Sequence, residues 1–240
     1  MTSLDSSQDG PSHLVNQATT QAANRGRFIV LEGIEGVGKT TQARQLFERL
    51  SQVLPKPPFL TREPGGTPLA EQVRQIVLHQ SSDEYLCAEA ELLLMMASRL
   101  QHWRQVIQPK LEQGEWVICD RFIGSSLAYQ GAGRGLSQTM IQDLHTALDP
   151  TMVPDQVILL DLTVAESRDR LKNRALSQDR MEANNDDFFH KARQAFLTAA
   201  QAHNNYAVIQ ANQKPAAVAQ NIWTIVQSMV ELSQSNGELN

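Results

Sequence analysis

Residues 33 to 41 read GIEGVGKTT. Gly33, Gly36 and Gly38 leave main-chain N–H groups bare of side chains, and Lys39 closes the turn with one cation, followed by the hydroxyls of Thr40 and Thr41. The stretch fits GxxxxGK[ST] in full, with Ile34, Glu35, Gly36 and Val37 at the variable positions. Such a turn, set between a strand and a helix, is a phosphate cradle. Its N–H groups point at the anion, the lysine reaches the outer phosphates, and the hydroxyl after the lysine ligates Mg²⁺. Residues 33 to 41 are therefore the expected ATP- or GTP-binding loop, with Lys39 as its catalytic cation and Thr40 as a metal ligand. A second acidic group, Asp120, ends the apolar run VICD. At the carboxyl end of a central strand it would reach the ligand crevice and hold Mg²⁺ through water, although capping the next helix is its ordinary alternative. Arg121 beside it is a charge that a core does not explain.

Other motifs narrow the chemistry. A GTPase needs NKxD, which NQKP at 212 to 215 fails, and the LSGGQ signature of transporter ATPases is missing. What remains is a kinase passing the γ-phosphoryl group to a small acceptor, or a domain whose hydrolysis drives a partner. The 240 residues carry a net charge of -5, so any polyanion site must be a local pocket and not a nucleic-acid-binding face. No apolar run approaches the ~18 residues of a membrane helix. The two cysteines, Cys87 and Cys119, lie in apolar stretches and are expected as buried free thiols of a reducing, cytoplasmic compartment.

These residues need a frame. Apolar runs at 27 to 32, 57 to 61, 115 to 120, 155 to 162 and 206 to 211 alternate with helical patterns at 40 to 53, 68 to 79, 84 to 112, 137 to 148, 164 to 174, 186 to 204 and 215 to 233. Continuously apolar strands alternating with helices imply α/β architecture, a five-stranded parallel sheet flanked by helices in a three-layer P-loop sandwich. Thr67 before Pro68, and Thr163 with Glu166, mark helix starts. Within 84 to 112, Leu86, Ala90, Leu93, Ala97, Leu100, Ile107 and Leu111 are expected to form one buried stripe, with Met95 and Arg99 on a different face. Residues 1 to 25 and 234 to 240 read as disordered tails around a single domain of residues 26 to 233.

Several strings agree in order with one family. FIVLEGIEGVGKTTQ, LTREPGGTPLAEQVR, SRLQH, VICDRF with SSLAYQGAGRGL, and DRME with DFF resemble the bacterial thymidylate kinases. The resemblance implies transfer of the γ-phosphoryl of ATP to dTMP with Mg²⁺, usually by a homodimer paired through helices. It implies that Glu35 approaches the sugar 3′-hydroxyl, Arg121 holds the acceptor phosphate, Arg99 bonds the thymine edge, and Ser126 and Gln130 meet its other polar edge. Tyr129 would crowd out a ribose 2′-hydroxyl, while Arg74 and Glu63 would stand near the nucleotide and the metal. The position four before Arg99 usually carries an aromatic ring that stacks on thymine; here it is Met95, whose thioether packs on a ring at about 0.3–1.5 kcal/mol, so looser base binding is expected.

The acceptor is a phosphate with a second pKa near ~6 and needs no general base, so cations must do the work. The loop's variable positions hold no arginine. The run RDRLKNRALSQDR supplies Arg168, Arg170, Lys172, Arg174 and Arg180, and its weak periodicity suggests a mobile lid at about 172 to 185. A solvated basic helix face is the ordinary alternative. Family members without a basic residue in the loop place an arginine in the lid, which implies Arg174 first, then Arg180, as catalytic.

Overall fold

The structure, a computed structural model, describes residues 25–79, 85–173 and 180–235. Residues 1–24 and 236–240 of the expected tails fall outside the described residues, as do Arg174 and the rest of 174–179 in the expected lid.

Strands β1 (Phe28–Glu32), β2 (Phe59–Arg62), β3 (Val117–Asp120), β4 (Gln156–Asp161) and β5 (Tyr206–Gln210) form one parallel sheet ordered β2-β3-β1-β4-β5. Central β1 has no exposed face. Ile29 and Leu31 enter one apolar cluster and Phe28 and Val30 the other, which is why this strand reads as an unbroken apolar run. Around the sheet lie α1 (Lys39–Leu50), α2 (Pro68–Leu78), α3 (Ala88–His102), α4 (Gln108–Glu112), α5 (Ile123–Ser126), α6 (Gln138–Leu148), α7 (Val164–Lys172), α8 (Asp186–Ala202) and α9 (Pro215–Ser235). The caps expected at Thr67 and Thr163 are formed: Thr67 accepts from Ala70 N, and Thr163 with Glu166 makes a reciprocal capping box.

Helices α3 and α4 are joined by a π-helical turn, Trp103–Ile107, and this overturns the expected stripe. A π turn inserts one residue, rotating the downstream face by about 100°. Ile107 and Leu111 are accordingly buried while Leu93 and Ala97 are exposed, and the buried upstream face carries Glu91, Leu92, Met95, Met96, Arg99 and His102. Cys119 is buried as expected, but Cys87 is exposed, because it precedes α3 instead of packing inside it.

One helical segment escaped the periodicity. Helix α5 runs on into a second π-helical stretch, Leu127–Gly133, through a sequence rich in glycine. Close packing explains two of those glycines. A Cβ at Gly124 would lie 2.9 Å from Glu32 Oε1, and one at Gly133 would strike the Phe188 ring.

Candidate active site

The carboxyl ends of β1, β2 and β3 open into a cavity of about 810 Å³. Its floor is the glycine turn. Gly33, Gly36 and Gly38 have φ of 137°, 72° and 96°, values that residues with a Cβ avoid. Gly38 caps α1 in the left-handed conformation with no side-chain cap bond, which leaves the first N–H groups of α1 for an anion. Lys39 is buried and its Nζ donates to the carbonyls of Gly33 (3.0 Å) and Ile34 (2.8 Å). Burial, with the neighbouring Arg121 guanidinium, pulls the Lys39 ammonium down to about 8.

Thr40 Oγ1 donates to Asp120 Oδ2 at 2.6 Å, and the buried Asp120 Oδ1 has no hydrogen-bond partner. Two hard oxygens meet where the outer phosphates would lie, a donor set suited to Mg²⁺, which keeps several waters and takes few protein ligands.

Arg121 has φ 74°, which turns its side chain back over the loop. Nη1 donates to Gly33 O (3.1 Å), Ser125 Oγ (3.1 Å) and Tyr129 Oη (3.2 Å), and Nη2 donates to Glu35 Oε1 at 2.8 Å. Tyr129 Oη in turn donates to Glu35 Oε2 at 2.8 Å. Burial works against the Arg121 charge, yet facing Tyr129, Glu35, Asp120 and Glu32 hold the guanidinium above its ordinary value. The same burial pushes the Tyr129 phenol well up, keeping it a donor. Glu35, Arg121 and Tyr129 therefore form one unit at the cavity wall.

Glu35, Glu63, Arg74, Met95, Tyr129 and Gln130 line the cavity. Arg99 and Ser126 do not stand in that lining. Both are fully buried behind it, where Arg99 Nε donates to Glu63 Oε2 (2.8 Å) and Nη2 donates to Phe122 O (3.0 Å) and Ser126 Oγ (3.1 Å). The Ser126 hydroxyl, expected at the base edge, thus holds the arginine.

Of the basic run, Arg168 is turned to Asp186 and to the carbonyls of Glu182 and Asn184. Arg170 lines the cavity and donates to Gly36 O (3.4 Å) and Ala211 O (2.7 Å), and Lys172 is exposed. Arg180, expected as a catalytic cation, donates to Val77 O and the Glu91 carboxylate, and its backbone N–H donates to Leu78 O. Among the described members of the run, Arg170 meets the glycine turn. Its signal was its place on a capped helix, two residues from Arg168, which points it to a different side.

Sequence reasoning passed over two buried acids. Glu32 accepts from Phe122 N (2.9 Å), Ser125 N (3.0 Å) and Ser125 Oγ (2.6 Å), so it anchors the segment carrying Arg121 and Tyr129, and burial raises its carboxyl. Glu91 accepts from Gln130 Nε2 at 2.7 Å and from Arg134 and Arg180. An acidic residue inside an apolar run was the readable mark of each.

A family profile described as Thymidylate kinase matches residues 31–222. Thymidylate kinase of Synechococcus sp. (strain CC9605) is 45% identical over 197 residues, covering 80% of this chain and 93% of the relative. That of Chromohalobacter salexigens is 43% identical over 202 residues, covering 82% and 93%. The crystal structure of thymidylate kinase from Ehrlichia chaffeensis superposes with a TM-score of 0.69 at 32% identity, covering 85% of this chain and 99% of that one. With its phosphate loop, its second cation over the same cavity and these relatives, the chain belongs to the thymidylate kinase family.

Proposed function

We propose that this chain transfers the γ-phosphoryl group of ATP to dTMP, giving dTDP and ADP. One observation carries the reading beyond family membership: Arg121 Nη1 bonds the carbonyl of Gly33, the first residue of the phosphate loop. An anion gripped by Arg121 therefore lies beside the phosphates gripped by the loop, in one cavity, which is the arrangement that in-line transfer between two nucleotides requires.

The roles follow from position. The turn of Gly33, Ile34, Glu35, Gly36, Val37 and Gly38 and the start of α1 cradle the ATP phosphates, with Lys39 drawing charge from the outer ones. Thr40 and Asp120 would hold Mg²⁺, which when bound neutralises charge on the phosphates. Glu35 carries a carboxylate from the loop to the acceptor's sugar and aligns Arg121 on its phosphate. Tyr129 closes the space beside the sugar. Met95 packs on the base, Gln130 reads its edge, and Arg74 and Glu63 shape the wall. Arg170 in the cavity lining supplies further positive charge, and Arg174, which lies outside the described residues, is the proposed lid arginine. Ordering both nucleotides against these cations before transfer keeps water from taking the phosphoryl group.

The active form is a homodimer, and the free thiols suit the cytoplasm. Leu69 and Ile76, seven apart on α2, are exposed, as is Leu93 on adjacent α3. Leu93→Glu should halve the mass measured by light scattering. A coupled ADP-release assay over dTMP, dUMP, dCMP, dGMP and AMP tests the chemistry. ADP release that does not depend on a monophosphate would overturn the kinase reading, and preference for another base would overturn dTMP as the acceptor.

A further inference from the structure

Gln130 lines the cavity, and its Oε1 is buried without a hydrogen-bond partner. Its Nε2 is taken by Glu91 Oε1 at 2.7 Å. Glu91 is itself fully buried, and its Oε2 faces the guanidinium groups of Arg134 and Arg180. Arg134 is held in turn by Asn184 Oδ1 (2.7 Å) and by the Phe188 ring, 4.9 Å away. A carboxylate facing two guanidinium groups accepts and does not donate, so the Gln130 amide can meet it only through its NH₂ group. The carbonyl oxygen must then face the other way, as a bare acceptor at the base end of the cavity.

We propose that Glu91 is a positioning residue for base selection: by holding the Gln130 amide in one orientation, it makes the pocket accept pyrimidines that carry N3–H and reject those whose N3 is an acceptor. The inference rests on the thymidylate reading above and deepens it. Thymine and uracil present a donor at N3, which Oε1 accepts. Cytosine presents a lone pair there, and two acceptors left face to face forfeit the bond and stay unsolvated. With glutamine at position 91 that constraint disappears. Its own amide can donate to Gln130 Oε1, which frees the Gln130 amide to turn and offer its NH₂ group to cytosine. Arg134 and Arg180 bind the same carboxylate, so they limit its movement as well as its charge.

The test compares kcat/KM for dTMP, dUMP and dCMP by coupled ADP release in wild type, Glu91→Gln, Gln130→Leu and the double variant. In Glu91→Gln the dTMP-to-dCMP ratio should fall about tenfold or more, while dTMP-to-dUMP stays within about twofold, because both bases carry N3–H. In the Gln130→Leu background, adding Glu91→Gln should leave the dTMP-to-dCMP ratio unmoved. An unchanged dTMP-to-dCMP ratio in folded Glu91→Gln overturns the proposal. So does a fall of both ratios together, which marks a general loss of structure, or a further fall in the Gln130→Leu background. Should Glu91→Gln not fold, Glu91→Ala, which removes the acceptor that fixes the amide, must lower the dTMP-to-dCMP ratio the same way, and an unchanged ratio overturns the proposal. Wild type lacking any preference for dTMP would instead remove the thymidylate reading itself.

Discussion

Thr40 and Asp120 meet at 2.6 Å, the hydroxyl donating to one carboxylate oxygen while the other, buried, has no hydrogen-bond partner. This contact ties the first turn of α1 to the end of β3, joining the phosphate loop to the strand that Arg121 follows. Asp120→Asn keeps the shape and removes the charge. Its Mg²⁺ half-saturation should rise about 10–100-fold, read from initial rates across a metal titration. Unaltered metal dependence would reduce Asp120 to a structural cap.

Arg121 makes four bonds with one planar group, to Gly33, Ser125, Tyr129 and Glu35. A lysine there is a single point charge and cannot span them. Arg121→Lys should lower kcat/KM for dTMP about 100-fold while KM for ATP moves less than about threefold. Steady-state kinetics with each substrate varied in turn checks the split; a parallel loss for ATP would place Arg121 on the donor.

Met95 is buried in the cavity wall where a flat ring would give more contact with a base. Met95→Phe should lower KM for dTMP by roughly 3–10-fold, equivalent to the 0.5–1.5 kcal/mol of an aromatic pair, with kcat little changed. Isothermal titration with dTMP reads the same gain directly.

His145 is buried beside Phe122, its Nε2 paired with Met152 O at 2.9 Å, and burial with the Arg99 charge pulls it from 6.5 to about 4. The folded ring resists protonation that the unfolded ring accepts, so stability is whole above pH 6.5 and declines as pH falls toward 4, by about 3 kcal/mol in all. Thermal melts of His145→Gln should show a flatter acid limb over that window than wild type. An identical limb would assign the acid sensitivity to other groups.

How much of this was legible is clearest from particular residues. The phosphate loop was readable because a bare turn needs glycine and a cation at fixed spacing, and β1 because burial on both faces needs an unbroken apolar run. Leu93 was misplaced because a π turn at Trp103–Ile107 breaks the 3.6-residue period on which the expectation rested. Segment 123 to 133 was hidden because its glycines answer to close neighbours, Glu32 and Phe188, and not to helix propensity. Arg180 could not be located from sequence, since its partner Glu91 lies 89 positions away.

The left-handed backbone at Arg121, φ 74°, has an energetic consequence. A side chain with a Cβ tolerates that conformation at about 1–3 kcal/mol, and glycine would relieve it. Arg121→Gly would relieve that strain but leave Glu35, Tyr129 and Ser125 without the guanidinium, a loss of about 3–5 kcal/mol for a broken, largely buried ion pair that outweighs the relief. The strained backbone is thus stabilised from outside itself, by the partners that its own side chain gathers.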